Sequence, residues 1–224
     1  KRVQIGAVEL RKKEKEVRCM ASWMVHLRIA DLLLDKYDRV EETEFVMGNI
    51  APDSGVPDSE WVYFTPPKEV SHFLDENGKI QFDRYIENYF TNELRNGYSR
   101  GQDSFFLGYL THLVADYLWV QQIYIPCKEK YKKEIRIDRN KFLWEMKRDW
   151  YDLDFLYLSK NPDFRAFQIY KDAKGFENVY MDCFAKDAFE NRREYIVGFY
   201  SETRENLNRV YPYLDEKRMD QFVE

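Results

Sequence analysis

The chain has 224 residues, 44% hydrophobic, 17% aromatic and 33% charged, which is too apolar for a disordered chain and long enough to bury a large core. A formal net charge of −5 removes duplex DNA as a default partner. Three scattered cysteines, Cys19, Cys127 and Cys183, exclude a disulfide framework and point to a reducing, cytoplasmic setting.

No apolar run approaches the roughly 18 residues that mark a membrane-spanning helix. Residues 1–19 contain the charge run RKKEKEVR and read as a solvated N-terminal extension. They lack the apolar stretch of a signal peptide. Composition shifts at Met20, and a single all-helical domain is expected over 20–224.

Ala21 to Tyr37 reads as the first helix, with Val25, Ile29, Leu32 and Leu33 as its apolar stripe. His26 lies beside that stripe, either as a hydrogen-bonded core histidine or as a ligand. Glu44 to Ser54 reads as an apolar helical turn running into a loop punctuated by Gly48 and Pro52. Asp53 follows the proline and can cap the next element or bind a cation. Val56 to Pro67 is irregular and aromatic, a rim or lid carrying Trp61, Tyr63 and Phe64. His72 follows among Val70, Phe73 and Leu74. Phe82, Tyr85, Ile86, Tyr89, Phe90 and Leu94 recur at helical spacing, so Ile80 to Asn96 is expected to be one amphipathic helix.

Phe105 to Tyr124 reads as one long buried helix, opened by Gln102, Asp103 or Ser104 and closed by Pro126. His112 and Asp116 stand four apart and share a face. Surrounded by Leu107, Leu110, Leu113, Val114, Leu118 and Trp119, the carboxylate needs a partner or a cation. A metal ion satisfies both groups, and so does a buried His–Asp hydrogen bond holding helices together. Lys128 to Lys133 reads as a solvated basic connection. On the helix expected over Asp138 to Leu158, Glu145 and Asp149 are again four apart, either a charged face with Lys147 and Arg148 or ligands pointing inward. Segments 163–173, 175–189 and 191–210 read as scaffold helices. Strand-like alternation is nearly absent, so the fold class is all-α.

The order of these motifs carries more than any one of them. His26 on the first helix, Asp53 in a loop, His72 after it and His112-x-x-x-Asp116 on a buried helix resemble the zinc-dependent phospholipase C and single-strand-specific nuclease superfamily. The segment GYLTHLVAD is the most specific piece, and the resemblance runs from about Met20 to about Leu158. It implies an all-α domain with a cluster of two or three zinc ions at the bottom of a cleft. It implies that Asp53, His72, His112 and Asp116 hold one ion, that Asp116 bridges to a neighbour also bound by His26, and that Asp53 serves as general base. The implied activity is metal-dependent hydrolysis of a small phosphoester: a phospholipid headgroup, a nucleotide or a small phosphodiester. Trp61, Tyr63 and Phe64 would then contact substrate.

The sequence also departs from that family. Its third zinc takes the mature N-terminal amine of a Trp, whereas Trp23 is internal here. Gln122 stands where the family has a His, and Glu145-x-x-x-Asp149 is the nearest match to a His-x-x-x-Glu pair. Oxygen ligands there suit a harder ion such as Mg or Mn, or no ion at all. The alternative expectation is a catalytically altered member with a structural metal and an interaction role. A bundle whose three histidines are merely core residues predicts no metal at all.

Overall fold

The computed structural model describes residues 20–60 and 63–224, so the N-terminal extension 1–19 and Trp61 lie outside the described residues. In chain order the helices are α1 (Trp23–Leu34), α2 (Glu42–Ile50), α3 (Lys68–Ser71), α4 (Phe82–Tyr89), α5 (Asn92–Gly97), α6 (Arg100–Trp119) and α7 (Ile125–Lys130). They continue with α8 (Lys132–Ile137), α9 (Arg139–Lys160), α10 (Arg165–Asp172), α11 (Ala188–Tyr200) and α12 (Glu216–Val223). Two short antiparallel strands, β1 (Val56–Pro57) and β2 (Phe64–Thr65), pair Val56 with Thr65 inside the aromatic loop. The fold is all-α.

Local chemistry explains where these elements differ from the sequence expectation. The central helix α6 starts earlier, because Ser99 and Gln102 form a capping box: Ser99 Oγ accepts from Gln102 N–H and Gln102 Oε1 accepts from Ser99 N–H. Nor does Pro126 close it. The chain passes through a π-helical turn at Val120–Tyr124 into α7; Pro126 has no N–H to donate, and the carbonyl of Gln122, four residues back, accepts from Arg218 instead. The basic connection at 128–133 is itself largely helical.

The helix expected over 80–96 breaks in two at Phe90, and Thr91 Oγ1 caps α5 by accepting from Leu94 N–H. Segment 175–187 is not helical. Gly175 adopts a positive φ of 73°, and Asn178 donates to the carbonyls of Met181 and Phe184 while accepting from the N–H groups of Tyr180 and Met181. That amide replaces helical bonds with a turn. Likewise α11 ends at Tyr200, and residues 203–207 are irregular.

The core is organised around α2 and α6, which meet backbone to backbone. A Cβ added at Gly108 would lie 2.1 Å from the carbonyl oxygen of Phe45, and one at Gly48 would lie 2.1 Å from that of Phe105. Only glycine permits this approach. Phe45, Phe105, Tyr109 and Tyr85 are fully buried around the contact. A second apolar cluster of Trp119, Met146, Trp150 and Met219 fastens α9 and α12 to the far end of α6.

Candidate metal centre

The glycine contact sets the position of His112. One turn beyond Gly108 on α6, His112 meets the residue after Gly48 on α2: its Nδ1 lies 2.7 Å from the carbonyl oxygen of Asn49. A carbonyl can only accept, so Nδ1 carries the proton and the lone pair of Nε2 faces inward. His72 terminates α3 with Nδ1 2.9 Å from Ser71 Oγ, again leaving Nε2 directed inward. His26 projects from α1 and stacks on His112, with ring centroids 3.8 Å apart at 10°. Asp53 closes the single 3-10 turn Ala51–Asp53 beside Pro52, and Asp116 lies one turn beyond His112.

These five side chains converge. His72 Nε2 is 3.3 Å from His112 Nε2, 3.4 Å from Asp53 Oδ1 and 3.6 Å from Asp116 Oδ2, while His112 Nε2 is 3.2 Å from Asp116 Oδ2. Four ligands about 2.0–2.1 Å from a tetrahedral zinc ion stand about 3.3–3.4 Å from one another. The observed separations scatter around that value. His26 Nε2 approaches Asp116 Oδ1 to 3.3 Å without hydrogen-bonding geometry. Both nitrogens of His26 and Oδ2 of Asp116 are buried without a hydrogen-bond partner. Orphaned lone pairs on imidazole and carboxylate fit a metal ion and do not fit a closed hydrogen-bond network. The donor set thus forms two overlapping groups that can hold a metal: His26, Asp53 and His112, and His72, His112 and Asp116.

Electrostatics agrees with ligand chemistry at His26 and His72. Burial pushes His26 and His72 below the ordinary imidazole value, favouring the neutral, metal-binding form. Burial also opposes charge on His112, but the adjoining Asp116 carboxylate outweighs it and raises the group. For Asp116, burial favours protonation, yet His112 and His26 together hold it well below the carboxylate range. Asp53 is likewise held low, with Lys68 and His72 overcoming burial; Lys68 Nζ lies 3.4 Å from its Oδ1. Asp53 keeps 11% of its side chain exposed, and Asp116 forms part of the wall of a cavity of about 160 Å³ between Met20, Ile80, Tyr117 and Gln121.

The acidic pair on α9 is not brought to the histidines. Asp149 is buried against Arg209, with Oδ1 2.7 Å from Nη1, and accepts the N–H of Tyr213. Glu145 accepts from the Tyr213 hydroxyl at 2.9 Å. Neither belongs to a metal-ligating group among the described residues, and the pair fastens the C-terminal segment to α9. Gln122 is exposed, and its carbonyl accepts from Arg218. Trp23 packs edge-on against Tyr195, Phe199 and Tyr200. Tyr63 is exposed, and Phe64 approaches the centre through Lys68, whose Nζ is 6.0 Å from the ring centroid.

Sequence reasoning missed four contributors: the Asn49 carbonyl, Ser71, Lys68, and the backbone N–H of Ala21, which donates to Asp116 Oδ1 at 3.0 Å. Two are backbone groups, which leave no residue-type signal. Ser71 and Lys68 flank His72 within four residues, and that proximity is the one available hint.

A family model described as zinc dependent phospholipase C matches residues 25–119. That stretch holds His26, Asp53, His72, His112 and Asp116 and stops short of Glu145 and Asp149. No curated protein and no solved structure matches the chain. Residues 25–119 and the all-α fold that presents them support membership of the zinc-dependent phospholipase C-like superfamily.

Proposed function

We propose that this protein is a metal-dependent hydrolase of small phosphoesters. The observation that carries the reading is the four-atom set of Asp53 Oδ1, His72 Nε2, His112 Nε2 and Asp116 Oδ2, in which Asp116 Oδ2 has no hydrogen-bond partner, with His26 unpartnered beside it. Asp53, His72, His112 and Asp116 would hold one ion, and His26 with Asp116 a neighbouring one. Three imidazoles across the two positions favour zinc over Mg or Mn. Bound zinc supplies a hydroxide at neutral pH and neutralises charge building on phosphoryl oxygens.

The chain's own residues have separate tasks. The Asn49 carbonyl and Ser71 hydroxyl fix the rings of His112 and His72 so that their Nε2 lone pairs converge. Asp53, ionised and partly open, accepts a hydrogen bond from an attacking water and orients it, taking its proton as the P–O bond forms. Lys68 holds Asp53 in that ionised state. The small cavity at Asp116 receives the leaving group or its substituent, and Tyr117 and Gln121 offer polar contacts there.

The test is hydrolysis of bis(p-nitrophenyl) phosphate, p-nitrophenyl phosphate and p-nitrophenylphosphorylcholine by zinc-loaded protein, beside chelated protein and His112→Ala. Turnover of at least one ester that chelation and His112→Ala both abolish supports the reading. Zinc-loaded protein that turns over none of them would leave the altered member with a structural metal as the better account.

A further inference from the structure

We propose that the α8 segment and the first turns of α9 form a docking surface for bilayers that contain anionic phospholipid. From Lys132 to Arg148 the chain carries seven basic and three acidic residues, in a molecule whose net charge is −5. Lys132, Lys133, Arg136, Lys141 and Arg148 are exposed. Two large apolar side chains stand in the same stretch without cover. Ile137 is 87% exposed, the most of any large hydrophobic among the described residues, and Trp144 is 76% exposed. On α9, Lys141, Trp144 and Lys147 follow at three-residue steps and line one open depression of about 540 Å³, together with Asp138, which follows Ile137.

An exposed isoleucine and indole amid lysines match the two terms that hold a protein on a membrane surface. The apolar side chains enter the headgroup–acyl boundary, and the basic ones meet the negative surface potential. Lysine stems also lie along the apolar boundary while their ammonium groups reach phosphates. Single-stranded nucleic acid would use the tryptophan and the charge but has no use for Ile137, so the bilayer is the occupant that accounts for both apolar residues. No helix among the described residues is long and apolar enough to cross a membrane, so the contact is peripheral. The surface lies outside the family-matched stretch, and the inference does not depend on the metal reading.

Co-sedimentation of the full chain tests this, with vesicles of phosphatidylcholine alone and with about 30% phosphatidylserine, at about 0.1 M salt. We expect at least roughly tenfold tighter binding to the serine-containing vesicles, from about 1 kcal/mol per basic residue at the surface. The double variant Ile137→Ser/Trp144→Ser is expected to lose about tenfold on both vesicle types. Lys132→Glu/Lys133→Glu is expected to lose the preference for phosphatidylserine. All four side chains are exposed, so melting temperatures should match wild type. The proposal is overturned if wild type binds neither vesicle, or if both double variants bind as wild type does. It is also overturned if a single-stranded RNA oligonucleotide is bound and vesicles are not, or if Ile137→Ser/Trp144→Ser instead abolishes a dimer that ignores vesicles.

Discussion

Nδ1 of His112 lies 2.7 Å from the carbonyl oxygen of Asn49, and that contact exists because Gly108 and Gly48 let two helices touch. The histidine is therefore oriented by backbone, at a distance fixed by the absence of two methyl groups. Gly108→Ala would drive a carbon to 2.1 Å from the Phe45 carbonyl oxygen, so α2 and α6 must separate. We expect a loss of about 2–3 kcal/mol or more in urea unfolding. Zinc affinity should fall with it, because the Asn49 carbonyl moves away from His112. Gly198→Ala, which meets nothing within 4 Å, serves as the control.

Ser71 tests orientation separately from packing. Its hydroxyl is 2.9 Å from His72 Nδ1, while its backbone carbonyl accepts the Tyr109 hydroxyl whatever the side chain is. Ser71→Ala is expected to weaken zinc binding about tenfold in competition with a chromophoric chelator, with little change in melting temperature. Unchanged affinity would show that His72 is held by packing alone.

Arg209 is expected to matter for stability and not for metal. It pairs with buried Asp149 and, through Nη2 at 2.7 Å, with Asp152. Arg209→Met leaves the Asp149 carboxylate without its ion-pair partner, and about 3 kcal/mol of stability should be lost. Metal content of the folded protein should stay at the wild-type value.

Asp154 gives a pH signature. It is buried, accepts from Ser22 Oγ at 2.8 Å and from the Tyr200 hydroxyl at 2.7 Å, and burial pushes it up to about 7. The folded state therefore keeps a proton that the unfolded chain releases near pH 4. Its contribution is fully present below about pH 4 and is lost as pH rises through about 7, at a cost on the order of 2–4 kcal/mol. Asp154→Asn removes that loss. The variant should gain stability relative to wild type between pH 5 and pH 8, as read from urea midpoints. A pH-independent difference would contradict the assignment.

The fold class was legible because helical periodicity dominates the chain, and His26, Asp53, His72, His112 and Asp116 were legible through order and spacing. Their meeting was not derivable from local pattern. It depends on the Gly48–Gly108 contact between segments some sixty residues apart, and a glycine in a helix reads locally as a weakness. The acidic spacing Glu145-x-x-x-Asp149 looked like ligands because sequence cannot display Arg209 and Tyr213, which approach from the C-terminal segment. Helix ends failed where a side chain acted on backbone, as with the Ser99–Gln102 box and the Asn178 turn. The same limit hid Ala21 N–H and the Asn49 carbonyl.

The most direct test of the centre is elemental analysis of zinc-reconstituted wild type, His112→Ala and Glu145→Ala. The account predicts at least about one zinc per chain in wild type, loss of that metal in His112→Ala, and full retention in Glu145→Ala. A metal-free wild type would contradict it, and so would a Glu145→Ala protein that loses zinc while remaining folded.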